Sequence, residues 1–288
     1  MNWFFYFYNI CFLHHKVFSY ICRKSWHVSF RNLSDISWDY VISIMTIKVY
    51  NILNKNFKKA KELSLFLDCD LVSKKPSVDS YIEVSEEGLI FVSNTNKTKK
   101  YLHIDFTKGS MAWRLSRSEH ETLLKKALGR NKDQIKIFDA TAGLLQDSLV
   151  FLSLGHKVVA CEQSKILYSL LTDACERARS KIKTLKNLTL INGEASEVFK
   201  TFADFTVIYL DPLYPDKKKS ALRSGSISII KEILLLENIK DQGNHLFNFF
   251  KKTRSRKIIL KRPIKSEKLC NNINYQVAGK STRFDIYI

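Results

Sequence analysis

Asp211, Pro212 and Tyr214 lie close together at the end of an apolar run, Tyr209-Leu210-Asp211-Pro212-Leu213-Tyr214-Pro215. The Asp211 carboxylate and the backbone carbonyl of Pro212 are two acceptors that can take both hydrogens of one planar amine. An amine whose lone pair is delocalised into an aromatic ring is a poor nucleophile. Holding its two hydrogens turns the lone pair toward an electrophile, so that position and electrostatics lower the barrier. Proline removes an N–H and fixes φ in that stretch. The ring of Tyr214 offers a flat face for an extruded base, a contact worth about 1–3 kcal/mol. The plainer alternative is a turn after a buried strand with Tyr214 in packing. The position of the motif at a strand's carboxyl end favours the chemical reading.

Two upstream segments fit the donor side of such a reaction. Asp139-Ala140-Thr141-Ala142-Gly143 runs from a strand into small residues, which let the backbone turn sharply and approach a ligand. Leu144, Leu145 and Gln146 follow the single glycine, so the G-x-G-x-x-G pattern of a dinucleotide site is absent. A turn of this kind suits the amino-acid end of S-adenosylmethionine, although D-x-x-x-G turns occur in many α/β proteins. Glu162 ends the next strand, 23 positions after Asp139. At that spacing an acid can accept from both ribose hydroxyls. Asp147 opens the following helix, where a carboxylate favours the helix dipole or touches the cofactor. Glu194 and Ala195 follow the third strand, where an adenine would lie.

Charge points to the acceptor. The chain has 47 basic and 28 acidic residues, a formal net charge of +19, so its expected partner is a polyanion, either nucleic acid or an anionic membrane surface. Lys217, Lys218, Lys219 and Arg223 adjoin the proposed base pocket and are candidate phosphate contacts, with Lys261 and Arg262 extending the same basic rim. His103, His120 and His156 lack metal-ligand spacing, and no metal is expected. Six cysteines lie scattered without a C-x-x-C pair, which fits buried thiols in a reducing compartment.

The elements that must position these groups follow from periodicity. Residues 1–44 are an aromatic-rich leader; its apolar stretch is too short for a bilayer, which needs about 20 residues. It is read as an upstream extension outside the native fold, with a surface anchor or a packed helix as alternatives. Residues 45–108 read as a small α+β lobe, with strands at Lys48–Ile52, Tyr81–Val84, Leu89–Ser93 and Tyr101–Phe106 and a helix at Lys55–Leu67. Residues 109–288 form the second domain. Ser116–Leu128 is expected as one helix, capped by Ser116 and ended by Gly129. From Gln134 the pattern alternates strand and helix: strands at Ile135–Asp139, Lys157–Cys161, Leu188–Ile191, Val207–Leu210 and Lys257–Leu260. Helices lie near Gln146–Leu154, Lys165–Arg179, Glu194–Phe202 and Ser226–Phe250, and a closing hairpin at Tyr275–Ala278 and Phe284–Ile288. Such alternation implies a parallel sheet covered on both faces, with ligands beyond the carboxyl ends of the strands.

The Asp211 motif is similar to the Asp/Asn-Pro-Pro-Tyr/Phe signature of methyltransferases acting on exocyclic nitrogens, with Leu213 in place of the second proline. Together with Asp139–Gly143, Lys219-Ser220-Ala221-Leu222, Lys261-Arg262-Pro263, Arg283-Phe284-Asp285-Ile286-Tyr287 and the segment from Ile104 to Ala112, it resembles the RsmJ family over residues 45–288. Those are bacterial small-subunit ribosomal RNA guanine-N2 methyltransferases. The resemblance implies a class I S-adenosylmethionine-dependent methyltransferase fold, Rossmann-like with a mostly parallel seven-stranded sheet. It further implies S-adenosylmethionine as donor, ribosomal RNA or the small ribosomal subunit as partner, and a cytoplasmic location. It places cofactor contacts at Gln146 and Asp147, Glu162 and Gln163, Glu194 and Ala195, and Asp211. The family reads Gly-Leu-Gly-Arg-Asp where this chain has Gly143-Leu144-Leu145-Gln146-Asp147, an arginine at Gln163 and a serine pair at Glu194-Ala195. Two other functions stay open at this point: an adenine or cytosine N-methyltransferase acting on DNA, and a non-catalytic RNA-binding protein on the same scaffold.

Overall fold

The computed structural model describes residues 47–51, 56–94, 99–129, 133–202, 204–213, 225–240, 243–253 and 257–288. The chain divides into two units, Met1–Ile44 and Met45–Ile288, and the described residues all belong to the second.

The N-terminal part is a five-stranded sheet. Its strands are β1 (Lys48–Asn51), β2 (Asp70–Val72), β3 (Tyr81–Ser85), β4 (Gly88–Ser93) and β5 (Lys100–His103), in the order β2-β1-β3-β4-β5, with helix α1 (Phe57–Leu67) crossing from β1 to β2. The β1 pairings with β2 and β3 are parallel, and β3-β4-β5 is an antiparallel meander. The three-residue β2 was not visible in the sequence pattern, because it is too short to show a period. Two helices follow, α2 (Gly109–Ser116) and α3 (Thr122–Leu128). One helix was expected over Ser116–Leu128. Instead Ser116 ends α2, with its hydroxyl donating to the Trp113 carbonyl, and a 3-10 turn at Ser118–His120 separates the two. The Ser116 hydroxyl therefore serves the preceding turn and caps nothing.

The second layer system is a seven-stranded sheet in the order β11-β12-β10-β9-β6-β7-β8. Its strands are β6 (Lys136–Asp139), β7 (Lys157–Glu162), β8 (Leu188–Asn192), β9 (Val207–Leu210), β10 (Ile258–Pro263), β11 (Tyr275–Ala278) and β12 (Thr282–Tyr287). The pairings among β8, β7, β6, β9 and β10 are parallel, and β12 lies antiparallel between β10 and β11. Helices α4 (Gln146–Ser153), α5 (Lys165–Ala178), α6 (Ala195–Lys200), α7 (Gly225–Leu236) and α8 (Gly243–Lys252) complete this part; the single helical region expected over Ser226–Phe250 is two helices.

The central strands are buried on both faces, which explains their unbroken apolar sequences, such as Val-Ile-Tyr-Leu in β9. One face packs on α4 and α5 through residues such as Phe151, Leu167 and Leu171. The other packs on α6 and α8, where Phe138, Phe199, Phe205 and Phe250 meet ring to ring. Ser164 caps α5, accepting from the Leu167 N–H at 3.0 Å. The N-terminal sheet is tied to this helix by Asp173, fully buried, which accepts from Lys59 at 2.6 Å, Arg177 at 2.8 Å and the Leu89 N–H at 3.0 Å. Gly88 begins β4 at φ +117°, and a Cβ there would run into Arg177 and Asp173. Both the backbone angle and the close approach favour glycine here, since a side chain would be strained and would displace Arg177 or Asp173.

Candidate active site

Four of the chemical side chains sit at the carboxyl ends of neighbouring parallel strands: Glu162 on β7, Asp139 on β6, Asp211 just past β9 and Lys261 on β10. The strand order reverses between β6 and β9, since β6 continues to β7 on one side while β9 lies on the other. A crevice at such a switch point is where open α/β sheets bind ligands.

The turn after β6 is held between the tips on either side of it. The Ala140 N–H donates to the Tyr209 carbonyl at 3.0 Å and the Ala142 N–H to the Cys161 carbonyl at 3.1 Å. Thr141 Oγ1 accepts the Asp211 N–H at 2.7 Å. Gly143 lies at φ +53°, and a Cβ there would meet only the Thr141 carbonyl oxygen, at 3.8 Å, so the space beside the turn is open. Leu145, fully buried, also sits in the left-handed region at φ +57°, immediately before α4.

Asp139 is buried and its carboxylate accepts from Ser148 Oγ at 2.6 Å and the Thr141 N–H at 3.1 Å. Burial pushes its carboxyl up to about 7 despite those bonds. Glu162 is similarly buried. One oxygen accepts from the Gly143 N–H at 3.1 Å and the other from the Ser164 N–H at 2.9 Å, and burial pushes it up to about 7. Each Glu162 oxygen thus keeps acceptor capacity beyond its single backbone bond.

A charged chain runs beneath Asp211. Arg114 on α2 forks onto Glu121 at 2.6 and 3.1 Å and reaches Asp147 at 2.8 Å. Lys261 Nζ lies 2.8 Å from both Asp147 Oδ2 and Asp211 Oδ2, and the Tyr209 hydroxyl donates to Asp147. Burial by itself would push the Asp147 carboxyl up, but Lys261 and Arg114 outweigh it and hold the group below its ordinary value. For Asp211 burial prevails and the carboxyl is raised, with Lys261 the strongest opposing influence. Lys261 itself is raised, because the two carboxylates overcome its burial. The side chain of Asp211 is 35% exposed and that of Asp147 only 7%, so Asp211 is the one accessible to a ligand, while Asp147 is held inside by Lys261 and Arg114.

The other expected contacts have these surroundings. Glu194 caps α6, accepting from the Ser196 and Glu197 N–H groups, while Ala195 beside it is buried. Gln146 and Gln163 are exposed, and the Gln163 carbonyl accepts from Asn192 at 3.2 Å. Pro212 is buried. Arg262 was read as part of a basic rim, but it is buried, its guanidinium donating to Ser266 Oγ at 3.1 Å and the Glu267 carbonyl at 2.7 Å. Lys261, read the same way, turns inward to the carboxylates. The reason is shared: both lie on the interior strand β10, where a cation must find partners. Tyr214, Lys217, Lys218, Lys219 and Arg223 lie outside the described residues. Among the described residues no group of histidines, cysteines and acids could hold a metal, and no helix is long and apolar enough to cross a membrane. The thiols differ in their surroundings. Burial pushes Cys161 up to about 12, whereas Cys270, partnered by Lys251, is lowered.

Thr141, Ser148, Tyr209 and above all Arg114 were missed in the sequence. Arg114 lies two positions past the Ile104–Ala112 segment, and only its distant partners Glu121 and Asp147 reveal its role.

Residues 66–288 match a family described as "Putative SAM-dependent methyltransferase". The chain is 31% identical over 249 residues to Ribosomal RNA small subunit methyltransferase J of Francisella tularensis subsp. novicida, covering 84% of this chain and 99% of that one. It is 31% identical over 244 residues to the protein of the same name from Desulfotalea psychrophila, covering 80% and 91%. Among solved structures, a SAM-dependent methyltransferase from Neisseria gonorrhoeae superposes with a TM-score of 0.61 at 24% identity, covering 84% of this chain and 95% of that one. That likeness establishes the fold.

Proposed function

The chain belongs to the ribosomal RNA small subunit methyltransferase J family of SAM-dependent methyltransferases, and from that premise we propose that Asp211 presents the exocyclic N2 amine of a guanine in small-subunit ribosomal RNA for methylation. The observation that carries the reading is the placement of the Asp211 carboxylate. It stands at the switch point of the strand order, with its backbone anchored on Thr141 and one oxygen anchored on Lys261.

The residues on the other side of the crevice fit the donor. The open turn at Gly143 leaves room for a ligand against the backbone, and the buried acid Glu162 suits a ribose diol. Asp139 and the turn would meet the amino-acid end, and Glu194-Ala195 would border the adenine. S-adenosylmethionine, when bound there, supplies an electrophilic methyl group on a sulfonium. Asp211 and the Pro212 carbonyl would take the two amine hydrogens and direct the lone pair. The amine nitrogen would gain the methyl carbon as the carbon–sulfur bond breaks and its electron pair returns to sulfur, leaving S-adenosylhomocysteine, and would lose one proton, which the Asp211 carboxylate is placed to accept. Tyr214 would stack on the base, and Lys217–Lys219 and Arg223 would meet phosphates. Ribosomal RNA in the cytoplasm is the partner this reading requires.

The test is transfer of label from S-adenosylmethionine to small ribosomal subunits and to naked small-subunit RNA, followed by nucleoside mass analysis. Wild type should yield N2-methylguanine. Asp211→Asn should lower single-turnover transfer by on the order of 100-fold or more while calorimetric donor binding persists. Near wild-type transfer by that variant would overturn the mechanism.

A further inference from the structure

Lys261 touches the group the mechanism relies on most. Its ammonium sits at 2.8 Å from Asp211 Oδ2 and at 2.8 Å from Asp147 Oδ2, on the strand beside β9. Among the described residues, Asp211 Oδ1 receives no hydrogen bond, so one oxygen is pinned and the other keeps its acceptor capacity. We infer that Lys261 is a positioning residue of the methyl transfer: it clamps Oδ2 of Asp211, keeping the carboxylate charged and its Oδ1 turned toward the incoming amine. The inference rests on the reading of Asp211 as the amine acceptor.

The physical case is one of competing fields. Asp211 faces Lys261 from β10, Asp147 from α4, Arg114 from α2, and Asp139 and Tyr209 from the ends of β6 and β9. Burial and Asp147 favour the neutral acid; Lys261 and, behind it, Arg114 favour the carboxylate. A neutral Asp211 could still accept, but its proton would compete with the amine hydrogens and it could not take up the proton released by transfer. Lys261 is itself steadied by Asp147, which Arg114 and Tyr209 hold from the other side. The chain Arg114–Asp147–Lys261–Asp211 therefore reaches from the N-terminal part of the fold to the reacting amine, and only its last member meets substrate. Lys261 has further interactions as well, but the clamp requires only the two measured contacts.

The test is the pH profile of single-turnover transfer with saturating S-adenosylmethionine. In Lys261→Met the acid limb should move to higher pH by about one to three units, as expected when a cation within 4–6 Å of a carboxylate is removed. The rate should recover toward wild type at alkaline pH, and Lys261→Arg should restore the limb. Asp147→Asn should move the limb the other way, because it removes a negative neighbour of Asp211 that also competes for Lys261. That second variant keeps the inference testable if Lys261→Met does not fold. Equal loss at every pH in the folded variants would overturn it, since a merely structural lysine would act in that way. Full activity in Asp211→Asn would instead sink the reading of Asp211, so the two failures are distinguishable.

Discussion

The Thr141 hydroxyl accepts the backbone N–H of Asp211 at 2.7 Å. The turn that would hold the donor and the strand tip that would hold the acceptor are thereby one piece of structure. A shift of either carries the other with it, which matters where misplacement by about 1 Å costs on the order of 100-fold in rate.

Thr141→Val keeps the shape of the side chain and removes the acceptor. The Asp211 N–H then loses its partner, a cost of about 1–3 kcal/mol for a buried donor. Single-turnover transfer should fall roughly 10- to 100-fold, with donor affinity changed by less than about 3-fold. If calorimetry shows the larger loss in donor binding, the hydroxyl serves the cofactor and not the strand tip.

Glu162 links stability to pH. Its carboxyl is raised from 4.5 to about 7 by burial, so between those values the folded protein keeps a proton that the unfolded chain releases. Its contribution therefore falls as pH rises from 4.5 to 7 and is level on either side. The full change is roughly 3 kcal/mol. Asp139 slopes in the same direction, so Glu162→Gln should flatten the decline without abolishing it. Denaturant unfolding of the ligand-free protein across that range measures this; parallel curves for wild type and variant would refute it.

Leu145 occupies a left-handed backbone position at φ +57°, a region that favours glycine. That conformation costs a non-glycine residue roughly 1–2 kcal/mol. The fully buried side chain offsets the strain, since truncating a core leucine costs about 2–5 kcal/mol. Both Leu145→Ala and Leu145→Gly should destabilise, but glycine should be the more stable of the two by about 1 kcal/mol, the reverse of the usual order. Urea midpoints with matched slopes decide the order, and an alanine variant as stable as glycine or more so would mean no strain is stored there.

Asp285 is fully buried against Arg283, with Nε to Oδ1 at 2.9 Å, while the Arg283 guanidinium also holds the carbonyls of Ile264 and Ser266 at 2.8 Å each. This pair fastens the loop after β10, and so the strand that carries Lys261. Asp285→Ala leaves a buried cation uncompensated and should cost about 3–5 kcal/mol. A shift in thermal unfolding equivalent to less than about 1 kcal/mol would show that the loop can release the arginine to solvent.

The sequence alone determined the strands and their tips. Parallel strands buried on both faces are written as unbroken apolar runs, and β6 and β7 each end in an acid, Asp139 and Glu162, while Asp211 follows β9 directly. Composition and periodicity also marked the closing hairpin, whose first strand matches the expected Tyr275–Ala278. Tertiary structure alone decided which charges meet. Arg114 reaches Asp147 across 33 positions, and Lys261 reaches Asp211 across 50 and Asp147 across 114. Nothing local distinguishes Lys261 from the lysines of a solvated rim; its neighbour Arg262 was misread for the same reason. A local pattern sets which way a strand's alternate side chains point, whereas the partner across the sheet is set by strand order. That order is a property of the folded chain, and it set Lys261, expected as a phosphate contact, against the carboxylates of Asp211 and Asp147.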